Sequence, residues 1–180
     1  MSELIERVWI ISQRISEGYH TYKLYAFALY TNNQLKITES DYGDLAYWGE
    51  SRTKSIDEAI DEIISNLGIT RDEWEWLESE GKITWINCGF FEELTLSEAL
   101  SQVYKEILSE LLGNFREYED KYVFYIMRVA DARKWYENVQ PIINIIKTLK
   151  EFSEAHGFTN KIEMISSTDL HIDYVVNVYK

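Results

Sequence analysis

The chain has 180 residues, of which 46% are hydrophobic and 27% charged, which is ordinary for a soluble globular protein with one real core. The formal net charge is −13, and residues 39–80 hold thirteen acids against three bases. No basic face is visible in the sequence, which argues against direct binding to nucleic acid or to an anionic membrane.

Cysteine usage and hydropathy point to the cytoplasm. The single cysteine, Cys88, excludes an intrachain disulfide and agrees with a reducing compartment. The N-terminal residues have no apolar stretch long enough for a signal peptide, and the longest apolar run, 25–30, is too short for a membrane span. We therefore expect a cytoplasmic protein.

The N-terminal part of the chain indicates a β-hairpin after an ambiguous start. Residues 1–18 fit a helical stripe and a strand equally well, because Trp9 and Ile15 belong to both patterns. Residues 20–30 are rich in β-forming side chains and predict a buried strand, followed by a turn and a partner strand over 35–42. Residues 43–54 are expected to form an exposed loop.

Three helices begin with the same signal, a hydroxyl residue followed three positions later by glutamate. Such a capping box satisfies backbone N–H groups at a helix start. The three pairs are Ser55 and Glu58, Thr70 and Glu73, and Thr95 and Glu98. Gly68 and Gly113 are expected to end the first and third helices.

The remaining elements complete an α+β pattern. Residues 82–88 and 122–130 predict strands, Asp131 can cap a helix, and Pro141 predicts a break near Gln140. Residues 161–166 and 170–180 predict a closing hairpin. We expect one domain over 1–180, with a single mixed, mostly antiparallel sheet and helices packed mainly on one face.

The segment RDEWEWLESEGKITW, residues 71–85, interleaves tryptophans with carboxylates. If Thr70 caps a helix, Ile69 and Trp74 form a hydrophobic staple, which directs Trp74 inward. Trp76 then lies about 160° away on the helical wheel, on the face of Glu73 and Glu80. One narrow stripe cannot bury both indoles, so either the helix lies between two layers or Trp76 is exposed among acids.

An exposed tryptophan surrounded by carboxylates is typical of a protein contact site, in which the indole anchors and the charges select a basic partner. The more common alternative is a partly buried tryptophan beside a solvated acidic face. The candidate partner-binding residues are Asp41, Asp44, Tyr47, Trp48, Glu73, Trp76 and Glu80.

The segment DLHID, residues 169–173, is the best candidate for chemistry. On a strand, Asp169, His171 and Asp173 share one face, and His171 with Asp173 could supply two ligands of a metal site. A third ligand would have to come from elsewhere, and the simpler explanation is the solvent face of a half-exposed strand. Common nucleotide, hydrolase, metalloprotease and redox motifs are absent, and no activating base adjoins Cys88 in sequence, so no cofactor is expected and binding is favoured over catalysis.

Three functional hypotheses follow. The first is a small acidic binding protein that docks on a basic, nucleic-acid-handling partner such as a nuclease, with the logic of an inhibitor, DNA mimic or viral anti-CRISPR protein. The second is a metal-dependent or hydrolytic enzyme centred on His171 and Asp173. The third is an assembly protein in which apolar N-terminal surface pairs two copies as a homodimer.

Overall fold

The computed structural model describes residues 4–14, 21–43, 54–89, 94–168 and 171–180. The chain divides into two compact units, Met1–Ala99 and Leu100–Lys180. Within the described residues, each unit contains a four-stranded sheet with helices. The α+β class with mostly antiparallel pairing is confirmed. The described strands form two sheets and not the single sheet that we expected.

The first unit consists of a mixed sheet and two helices. Its elements are β1 (Ile5–Arg14), β2 (Thr21–Tyr30), β3 (Leu35–Gly43), α1 (Ile56–Leu67), α2 (Arg71–Ser79) and β4 (Ile83–Cys88). The strand order is β3-β2-β1-β4, with antiparallel pairing except between β1 and β4, which run parallel. Residues 5–14 of the ambiguous N-terminal segment thus form an internal strand.

Burial of β1 explains why its pattern was ambiguous. Residues 8–11 are all buried, as expected for a strand that is covered on both faces. Of the apolar side chains that motivated the assembly hypothesis, Ile5, Val8, Trp9 and Ile11 are buried, and Ile15 lies outside the described residues. Leu4, which directly precedes β1, is 63% exposed.

Both helices of the first unit pack on one face of its sheet. The shared core contains side chains from β1, β2, α1 and α2, and three alanines, Ala26, Ala28 and Ala59, allow close approach of helix and sheet. Each helix begins at the predicted cap, where Ser55 Oγ accepts from Glu58 N at 3.2 Å and Thr70 Oγ1 from Glu73 N at 3.1 Å.

The first helix also ends where the sequence predicts. Gly68 has a φ of 69°, a left-handed conformation that glycine adopts without steric cost. The predicted exposed loop over 43–54 lies largely outside the described residues.

The second unit consists of an antiparallel sheet and helices. Its elements, with a helix that begins just before the boundary, are α3 (Leu96–Leu112), β5 (Arg116–Glu117), β6 (Lys121–Met127), α4 (Ala132–Asn138), α5 (Gln140–Ala155), β7 (Ile162–Ser166) and β8 (Ile172–Tyr179). The strand order is β5-β6-β8-β7. The break near Gln140 and the closing hairpin are confirmed.

A buried tyrosine connects two helices of the second unit. Tyr104 on α3 donates to Leu149 O on α5 at 3.1 Å and bonds with Ser153 Oγ at 2.9 Å. Its ring is completely buried, and this burial raises the pKa of Tyr104 above its ordinary value. The phenol is therefore neutral wherever the protein is folded at ordinary pH.

Candidate functional site

Helix α2 places its two tryptophans on opposite sides. They are two residues apart, which is about 200° around an α-helix. Trp74 is completely buried in the core of the first unit, whereas Trp76 is 51% exposed. The inward direction of Trp74 is confirmed, and of the two alternatives for Trp76 the structure has the exposed indole.

Trp74 anchors the helix to the sheet. Its indole N–H donates to Glu78 Oε1 at 2.7 Å, so the polar edge of the buried ring is satisfied. Ile69 packs against the same core, as the hydrophobic staple predicts. Because Trp74 and the Thr70 cap fix the rotation of α2, the outward direction of Trp76 is fixed as well.

Trp76 lines a groove of about 390 Å³ between α2 and the start of β1. We call this feature the Trp76 groove. Its apolar walls are Trp76, Leu4, Ile5 and Leu77, and its charged side chains are Glu6, Glu73 and Lys82. The groove thus combines a half-exposed indole and an exposed leucine with two carboxylates, and all of these belong to the first unit.

A lysine covers the indole. The Nζ of Lys82 lies 4.8 Å from the centroid of the Trp76 ring, within the range of a cation–π contact. The backbone of Lys82 is fixed by two hydrogen bonds of 2.9 Å, from its N–H to Leu77 O and from Val8 N–H to its carbonyl. The contact therefore follows from how α2, β4 and β1 meet, and the sequence carries no signal for it.

The exposed side of the α1–α2 layer is acidic. Residues 54–82 contain nine carboxylates and three basic side chains, a balance of −6, and all of the carboxylates except the half-buried Glu62 are exposed. Arg71 pairs with Asp61 at 3.0 Å and with Glu75 at 3.7 Å. A hydrogen bond from Lys54 lowers the pKa of Glu62, which keeps this carboxylate ionised. The layer therefore retains a strong negative charge.

The candidate residues do not all meet at the groove. Glu73 lines it, and Glu80 is exposed at the C-terminal end of α2. Asp41 is exposed on β3, opposite Lys23, at the other end of the sheet from Ile5. At about 3.3 Å per residue, this register separates Asp41 from the groove by roughly 25 Å.

Three of the candidate residues, Asp44, Tyr47 and Trp48, lie outside the described residues. Most residues of the groove were not predicted as partner-binding, and these include Leu4, Glu6 and Lys82. Leu4 and Glu6 reach it because β1 pairs in parallel with β4, the strand that follows α2. Pairing between segments this far apart leaves no local pattern in the sequence.

The second candidate location is a β-bulge in the second unit. The register of β6 and β8 shifts so that Ile126 pairs with Tyr174 and Met127 with Ile172, which leaves Asp173 as the extra residue. The Asp173 carboxylate accepts from Trp135 Nε1–H at 2.7 Å and lies 3.8 Å from the guanidinium of Arg128.

The contacts of Asp173 are those of a structural anchor. A shallow cleft of about 250 Å³ adjoins it, lined by Arg128, Trp135 and Tyr136 among others. His171 is exposed, and its carbonyl accepts from Arg128 N–H at 3.0 Å. Asp169 lies outside the described residues. Over the described ranges, no group of three or more His, Cys, Asp or Glu side chains is arranged to hold a metal ion.

Comparisons with protein-family models, curated proteins and solved structures return no significant match for this chain. Within the part of the chain that is described, no helix is both long and apolar enough to cross a membrane. The Trp76 groove and the acidic α1–α2 layer beside it are the features of this chain that point to a function.

Proposed function

We propose that this chain is an acidic binding protein that docks through the Trp76 groove on a basic surface of a partner protein. The observation that carries the proposal is a half-exposed indole in an apolar groove, next to a helical layer with a balance of −6. An exposed tryptophan in a concave apolar setting matches the anchors that contribute most binding energy at protein interfaces.

The charge of the layer selects the partner. Exposed carboxylates attract basic surfaces from a distance and disfavour acidic ones, so they act on association rate and specificity. Basic surfaces are typical of proteins that handle nucleic acids. We infer an inhibitor-like role, in which the acidic layer occupies a cleft that otherwise holds a phosphate backbone, as a DNA mimic would.

The test starts with affinity capture from the source cells at low salt, using the wild-type chain and two variants. Trp76→Ala removes the anchor, and Trp85→Ala is a matched control because Trp85 is an exposed indole of the same unit outside the groove. A supporting result is a basic protein that the wild type and the control retain, that Trp76→Ala loses, and that high salt releases.

The captured protein is then purified and tested with a nucleic-acid probe. The proposal expects the chain to compete with the probe for that protein, and it expects Trp76→Ala to dissociate faster than the wild type. Capture that does not depend on Trp76, or a partner that binds the probe and the chain together, would contradict the docking proposal or its inhibitory form, respectively.

A further inference from the structure

The cation–π contact in the Trp76 groove identifies the chemistry of its occupant. In the free protein, the ammonium of Lys82 lies over the indole at 4.8 Å, with Glu73 and Glu6 lining the same groove. The ring thus already holds a cation that the chain itself supplies. A ligand that uses this face of the ring must displace the lysine.

The side chain that matches this groove best is arginine. Its aliphatic part can contact Leu4 and Leu77, its planar guanidinium can stack on Trp76, and its N–H groups can bind the carboxylate of Glu73 or Glu6. An anionic group would meet two carboxylates. An uncharged side chain would form no ion pair with these carboxylates, and a lysine would only repeat the contact that Lys82 already makes.

We propose, on the basis of the docking function above, that the Trp76 groove accepts an arginine side chain of the basic partner. Lys82 is then an internal competitor that occupies the indole until the arginine arrives. This competition has two consequences for binding. The groove prefers an arginine to a lysine of the partner, and the side chain at position 82 sets the affinity for that arginine.

The experiment uses two short peptides that are identical except that the arginines of one are lysines in the other. Binding is followed by the NMR signal of the Trp76 indole N–H, which is assigned from its loss in Trp76→Phe. The wild type should bind the arginine peptide more tightly, with a shift of the Trp76 signal and with an affinity that falls as salt rises.

Two substitutions of Lys82 should act in opposite directions. Lys82→Met removes the competitor and should raise affinity for the arginine peptide about two- to fivefold, the range of an exposed cation–π contact. Lys82→Arg keeps the charge but provides a better-matched competitor, so affinity should fall below that of the wild type. Lys36→Met is the charge control, because Lys36 bonds to Asn66 O on the exposed surface outside the groove.

The inference would be overturned if neither peptide moved the Trp76 signal, or if the two peptides bound equally. It would also be overturned if Lys82→Met and Lys36→Met had the same effect, since charge alone would then explain the change. If Trp76-dependent capture of a basic partner persisted in either case, the proposed docking function would stand and only the arginine assignment would fall. Capture without dependence on Trp76 would remove the docking function itself.

Discussion

Alanine substitution of the two tryptophans of α2, one at a time, distinguishes a core indole from a surface indole within a single helix. Trp74 is completely buried, and truncation of a buried tryptophan to alanine costs about 3–5 kcal/mol of unfolding free energy. The hydrogen bond to Glu78 is lost as well, but Glu78 is exposed and can bond to water. We therefore expect Trp74→Ala to fall within this range.

The same change at Trp76 should be milder. It removes a cation–π contact with Lys82 that is worth about 0.5–1 kcal/mol at an exposed site. Alanine is the better helix former, by up to about 0.7 kcal/mol, which offsets part of this loss. The remaining term is the half of the indole that is shielded from water, worth up to about 3 kcal/mol for roughly 125 Å² of apolar surface, so we expect a net loss of about 1–3 kcal/mol, below that of Trp74→Ala.

Urea unfolding followed by circular dichroism measures both changes, with the slope checked before midpoints are compared. Trp85→Ala serves as a second exposed reference in the same unit. Equal losses for Trp74→Ala and Trp76→Ala would mean that both indoles are structural. Such a result would contradict the role of Trp76 as a surface side chain that is available to a partner.

Three further predictions concern other parts of the chain. Tyr104→Phe should cost about 1–3 kcal/mol at neutral pH, because the phenol has two buried hydrogen bonds. Since the pKa of Tyr104 is raised in the folded state, wild-type stability should also fall as pH rises above the ordinary value of 10.0, and thermal unfolding across that range should show a smaller fall for the Phe variant. Gly89→Ala should lower the free energy of unfolding, measured by urea titration, by about 1–3 kcal/mol, because Gly89 has a φ of 135° and a Cβ there would lie 2.8 Å from Arg14 N. In stopped-flow association with a captured partner, Glu73→Gln should slow binding more than Asp41→Asn; equal effects would contradict the location of the interface.

Local signals predicted the helices and most strands of this fold. The caps at Ser55, Thr70 and Thr95 each accept from the backbone three residues later, as a capping box requires. These contacts involve only near neighbours in sequence, so the residues alone specify them. Strand β5 was missed because two exposed residues, Arg116 and Glu117, carry no alternation.

The arrangement of strands was less accessible. The sequence pattern of a segment can identify it as a strand, but it does not show which other strands pair with it. The parallel pair of Val8 and Ile83 joins segments separated by two strands and two helices. The division into two sheets depends on such pairings. The alternation of apolar and polar residues along a strand would be the same if all strands formed one sheet, so it could not predict the division.

The candidate site shows the same limit. The outward direction of Trp76 follows from a helical wheel, because the wheel needs only the helix that contains it. The distance of Asp41 from the groove could not be predicted in this way. The charge balance of residues 39–80 groups residues that are close in sequence, and these need not be close in space. Lys82 lies six residues after Trp76, in the short connection between α2 and β4. Its ammonium lies over the ring because the chain turns in this connection.

The acidic layer and the groove act over different distances, and this explains how a groove that contains a lysine can still select a basic partner. Charges are screened over about 8 Å at physiological ionic strength. The carboxylates of residues 54–82 outnumber its basic side chains, Lys82 included, so the field that an approaching partner meets is negative. Lys82 matters only after contact, when it competes for one ring. Charge substitutions on the layer should therefore act on the association rate, and substitutions at Lys82 on the dissociation rate. Asp41, at roughly 25 Å along the sheet from the groove, is too far from Trp76 to take part in the contact with its occupant.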